Sequence, residues 1–107
     1  MVSAQAADLT ALEAALSAHP DDLRAADLYR AAVIQQNQYD RAIAFFSQLV
    51  ASHPTASNAH LNYAFAYVDK IPAAGAITQV ILANNALAEF TKALEIQPSW
   101  IGYFTRG

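Results

Sequence analysis

A chain of 107 residues has room for one small domain and not for two independent cores. Hydrophobic residues make up 55% of it and charged residues only 14%, with 25 alanines, 3 glycines and no cysteine. That composition excludes a disordered or collagen-like chain, a disulfide scaffold, a thiol nucleophile and a cysteine-held metal, and a net charge of −3 with six scattered Lys and Arg offers no basic field for nucleic acid or an anionic membrane.

The elements follow in chain order. Residues 1–5 carry neither a basic residue nor a continuous apolar run, so they do not read as a secretory signal. Leu9, Leu12 and Leu16 share one face of a first helix predicted over residues 4–18, which Pro20 stops because it has no amide hydrogen and clashes with the preceding turn. Asp21 and Asp22 then supply the oxygens and the negative charge that suit the start of a second helix, over 22–35, with Ala26, Tyr29 and Val33 as its stripe. The polar run Gln36, Asn37, Gln38 breaks the pattern. Tyr39, Ala42, Phe46 and Leu49 resume it up to Pro54, so the second and third helices form a hairpin.

Thr55 and Ser57 are placed to cap a fourth helix, over 57–69, which carries two stripes: His60, Tyr63, Ala64, Tyr67, and Leu61, Phe65, Val68. Residues 71–75, with Pro72 and Gly75, are the clearest breaker. A fifth helix is predicted over 76–96, with Ala86, Phe90 and Ala93 as its stripe and Pro98 as its stop. Residues 77–82 are β-branched enough to read as a strand, but the chain holds no partner strand for them. Pro72, Thr78, Gln79, Asn84 and Asn85 also make the stretch 71–88 a poor bilayer span, so a cytoplasmic protein that does not enter a membrane is expected.

Aligned on their closing prolines, residues 39–54 and 85–98 agree: an alanine, an aromatic four residues on, then Leu or Ala three further, then proline. Pro20 and Pro54 are 34 residues apart. The period and pattern resemble the tetratricopeptide repeat, a helix-turn-helix unit of that length. The packing alanine falls on Ala42 and Ala86, the second-helix aromatic on Phe46 and Phe90, the closing proline on Pro54 and Pro98, and the first-helix tyrosine-like position on Val33 and Tyr67. Three residues depart from the family: Arg30 stands where a small residue is preferred, and Ala26 and His60 where tryptophan is preferred. The second unit, from Pro54 to Pro98, is ten residues longer than the period, with the excess near 71–80 as a longer turn, as extra turns of the fifth helix, or both.

The resemblance implies an all-α, right-handed stack of antiparallel helix hairpins with five to six helices, forming one domain over 1–107: an N-terminal helix (4–19), a first repeat (22–54), a second repeat (57–98) and the start of a third (99–107). It also implies a concave groove lined by the first helix of each pair. Arg24, Asp27, Ala31, Ile34 and Gln35 would line it, with Asn58, Leu61, Asn62, Phe65, Val68 and Asp69 beside them. Exposed Leu61, Phe65 and Val68 would dock a peptide or helix of a partner protein; alternatively the N-terminal helix, the insert or another subunit covers them. Some members of the family hold a C-terminal carboxylate with Lys, Arg and Asn. Here Asn62 fits that pattern, but Asp27 replaces the lysine and Ala31 the asparagine, so no such clamp is expected.

His19 and His53 each precede a proline at a helix end, and His60 sits at a packing position. None of the three is spaced i, i+3 or i, i+4 from another, so no metal site is expected. With no phosphate loop, nucleophile elbow or carboxylate pair either, the chain reads as a non-catalytic binding scaffold without cofactor, and structural self-association through repeat ends or the insert is its rival.

Overall fold

The computed structural model describes residues 8–97. They form five helices: α1 (Leu9–Ala18), α2 (Leu23–Gln36), α3 (Tyr39–Ser52), α4 (Ser57–Lys70) and α5 (Ala76–Ile96), with a single 3-10 turn at Ile71–Ala73 and no strand among the described residues. The strand alternative for 77–82 thus gives way to helix. The segment 99–107, expected to open a third repeat, lies outside the described residues.

Local chemistry explains most boundaries. Helix α1 begins at Leu9, where Asp8 is extended and its carboxylate accepts from the amides of Thr10 and Ala11; the expected start at residue 4 lies outside the described residues. Asp22 caps α2 through the amide of Ala25 at 3.0 Å. Asn37 ends the same helix in the left-handed conformation, φ 56°, which a short polar side chain tolerates better than most. The expected cap at Thr55 or Ser57 is not made: Ala56 occupies that position without a side-chain bond, and Ser57 is already inside α4.

Seven of the ten extra residues of the second unit lengthen α5, which has 21 residues against 14 in α3, and the other three lengthen the turn. Gln79 closes that turn by donating to the carbonyls of Ile71 and Ala74.

The helices form two layers. At the start of α1, Thr10 and Glu13 meet Arg41 at the start of α3, while Ser17 lies beside Ser52 and His53 at the other end. The end of α3 in turn neighbours the end of α5. Likewise Asp21, just before α2, bonds Asn58 at the start of α4, and Arg30 further along α2 bonds Asp69 near the end of α4. Helices α1, α3 and α5 therefore run alike in one layer, and α2 and α4 run alike in the other.

The main core lies between the layers and is centred on Leu16, Tyr29, Val33 and Phe46, all fully buried. The rings of Tyr29, Phe45 and Phe46 meet edge-on at 5.3 to 5.6 Å. These rings hold the backbones of α2 and α3 apart, whereas α4 and α5 run close together over most of their length. Leu61 and Ala64 on α4, and Leu82, Ala86 and Ala93 on α5, are buried outside the main cluster where those two helices meet.

Candidate binding surface

The surface expected to be a groove is built on α2. Its residues Arg24, Asp27, Leu28, Ala31, Ile34 and Gln35 are all exposed and recur at i, i+3, i+4, i+7, i+10 and i+11, which puts them on one face. The opposite face, with Ala25, Ala26, Tyr29, Ala32 and Val33, is buried, so α2 can turn only this face outward. Leu28 is not in the expected set; its helical spacing with Arg24 and Ala31 is the sequence signal that places it on this face.

The neighbouring face of α4 differs from expectation. Leu61 and Asn62 are only 6% and 4% exposed, so neither lines an open groove. Leu61 is buried where α5 packs, and Asn62 turns its amide back to donate to the carbonyl of Asn58 at 2.8 Å. Phe65 is half-buried, edge-on to Phe90 of α5 at 5.3 Å. Of the apolar row Leu61, Phe65, Val68, only Val68 is exposed. The fifth helix is what meets Phe65, through Phe90.

Asp69 is half-buried and already engaged. Arg30 grips it through two parallel bonds of 2.9 Å, Nε to Oδ2 and Nη2 to Oδ1, with its guanidinium 4.5 Å from the ring centre of Phe65. A forked pair stacked on an aromatic is a rigid arrangement, so Arg30, a departure from the repeat pattern, works here as the strut between α2 and α4. Asn58 is half-buried and ties the start of α4 to Asp21, leaving its own Oδ1 buried without a partner.

Two further polar clusters hold the layers together. Glu13 on α1 accepts from the hydroxyl of Tyr29 on α2 at 2.5 Å and from both prongs of Arg41 on α3 at 2.9 and 3.0 Å. The Arg41 bond holds the Glu13 carboxyl below its ordinary range, against burial that pushes it up. Burial, and then the bond to Glu13, raise the Tyr29 phenol far above its ordinary value. On α4 the hydroxyls of Tyr63 and Tyr67 bond at 2.7 Å, and burial followed by that bond raises the Tyr67 phenol.

The second cluster surrounds His60. Its Nδ1 lies 2.8 Å from Oε1 of Glu89 on α5, and its Nε2 lies 2.9 Å from the carbonyl of Pro54. A carbonyl can only accept, so Nε2 carries a proton and donates it. Lys92 adds a bond to the other oxygen of Glu89. Beside this pair, Val50, Ala51, Pro54, Lys92, Glu95 and Ile96 border an open depression of about 480 Å³. Every hydrogen-bonding position of His60 is committed within the protein, which is a structural role. Among the described residues no group of three or more His, Asp or Glu could hold a metal ion, and no helix is long and apolar enough to cross a membrane.

Comparison with protein-family models finds no match, and comparison with curated proteins and with solved structures finds none either.

Proposed function

We propose that the chain is a non-catalytic binding module of tetratricopeptide-like hairpins stacked in the right-handed sense, which holds a peptide or helix of a partner protein across the outer face of α2 and the edge of α4. The observation that carries this reading is the continuous exposed row on α2, in which Leu28, Ala31 and Ile34 are flanked by Arg24, Asp27 and Gln35. An apolar strip with a polar rim is what an amphipathic peptide recognises. The parallel placement of α2 and α4, and the strut from Arg30 to Asp69, support the stacked reading because they keep two first helices side by side as one platform. Val68 extends the apolar strip onto α4, whereas Leu61, Asn62 and Phe65 act from beneath as support.

A peptide library panned on the purified chain tests this. Enriched peptides should lose binding to Leu28→Glu and Ile34→Glu, both surface changes that leave the melting transition in place, and should keep binding to Gln48→Glu on the other layer. Peptides that bind both α2 variants as tightly as the parent chain, or a library that yields no binder, would overturn the groove.

A further inference from the structure

The outer face of α5 carries a second surface, on the opposite layer from the α2 row. Ile77, Val80, Ile81, Asn84, Leu87 and Ala88 follow i, i+3, i+4, i+7, i+10 and i+11 and form a single stripe. The four large side chains are 81%, 61%, 53% and 64% exposed, in chain order. The opposite face, with Leu82, Ala86, Glu89 and Ala93, is buried against the rest of the domain, so the stripe has no partner within the described residues. We infer that this stripe is a self-complementary interface on which a second copy of the chain docks, the two α5 helices lying antiparallel about a two-fold axis at Asn84.

Four observations select a second copy as the occupant. Residues 71–88 contain no charged side chain, so two such faces meet without burying an unpaired charge, while a charged partner would find nothing to pair with. Asn84, the polar side chain within the stripe, carries both donors and an acceptor and can bond its own copy across a two-fold axis, the device by which a buried Asn sets register in helix pairs.

An axis at Asn84 sets Ile81 against Leu87 of the other copy, Val80 against Ala88 and Ile77 against Thr91. The hydroxyl of Thr91 is already spent on the carbonyl of Leu87 at 2.8 Å and brings only its methyl to the contact. The same axis brings exposed Glu95 to the start of the other α5, a helix N-terminus without a side-chain cap, where a carboxylate is favoured. Finally, Ile77, Val80 and Ile81 lie on the extra turns that α3 lacks, so a further hairpin built on the plan of the first would leave them bare.

The contact runs from Ile77 to Thr91, about 21 Å of helix, which fits a reversible dimer rather than an obligate one. Sedimentation velocity of the whole chain across a wide concentration range should show a monomer–dimer equilibrium. Ile81→Glu, at an exposed position and therefore harmless to the monomer, should weaken it at least about tenfold.

Because the chain has no cysteine, Asn84→Cys should form an intermolecular disulfide readily under a glutathione redox buffer, while Asn85→Cys, exposed but a third of a turn round the helix, should not. A chain that stays monomeric at every concentration, as it would if residues beyond Gln97 covered the stripe, overturns the proposal. So does a dimer that Ile81→Glu leaves intact, or equal cross-linking at 84 and 85. Since the stripe and the α2 row lie on different layers, Leu28→Glu and Ile34→Glu should leave the dimer unchanged, and either reading can fail alone.

Discussion

The two hairpins solve one packing problem in opposite ways. In the first, Tyr29, Phe45 and Phe46 form an aromatic wedge that holds α2 and α3 apart. In the second, alanines let α4 and α5 close up, and the positions that match Ala26 and Phe45 by the proline alignment are His60 and Glu89, bonded at 2.8 Å. Where the first hairpin carries a small residue and a large ring, the second carries two polar groups that satisfy each other. The depression that Phe45 borders, between α1 and α3, is about 140 Å³, while the one beside His60 is about 480 Å³. A bulky ring fills space that a carboxylate of similar reach leaves open.

The comparison breaks most visibly at its aromatic end. Phe46→Ala removes a fully buried ring from the wedge and should cost about 3–5 kcal/mol in denaturant unfolding, whereas Phe90→Ala, at the matching and only half-buried position, should cost clearly less. Equal losses would mean that the two hairpins depend on their aromatics alike.

An intermediate effect is expected at the polar exchange. Glu89→Ala leaves Nδ1 of the buried His60 without its partner and should cost about 1–3 kcal/mol. The double change His60→Ala with Glu89→Phe imports the first hairpin's pair and removes both polar groups together. A thermodynamic cycle should therefore find the double variant less destabilised than the sum of its single changes, and strict additivity would show that the two positions do not act as a unit.

The smallest effect concerns pH. The Glu13 carboxyl is held below its ordinary range in the folded state, so the stability it contributes is present above the unfolded value and is lost as pH falls through the lower, folded one. Glu13→Gln should flatten the acid limb of the stability profile. The effect is modest because Arg41 is largely exposed and solvent screens the pair. An unchanged acid limb would place the acid sensitivity elsewhere.

Much of this fold is legible in the residues. Prolines at 20 and 54, the Asp22 cap and the polar break at 36–38 mark boundaries through local chemistry, and α5 ends where its apolar period runs out before Pro98. The exposed row on α2 was legible as well, because a helix with one strongly apolar face must turn the other outward. The fate of α4 was not, since a helix apolar on two sides does not say which side a neighbour covers. Arg30 stands out locally only as a departure from a pattern and Glu89 carries no local signal, because the value of each lies in a residue 39 or 29 positions away.

Local signals along the chain thus determined how many helices form and where they break, since caps, prolines and apolar period act over a few residues. Only the tertiary structure decided that Leu61 and Asn62 are covered, that Arg30 struts α2 to α4 and that the extra length of α5 leaves an uncharged apolar stripe outside. Burial and ion pairing depend on which distant helix arrives at a face, and that is settled by packing the five described helices together.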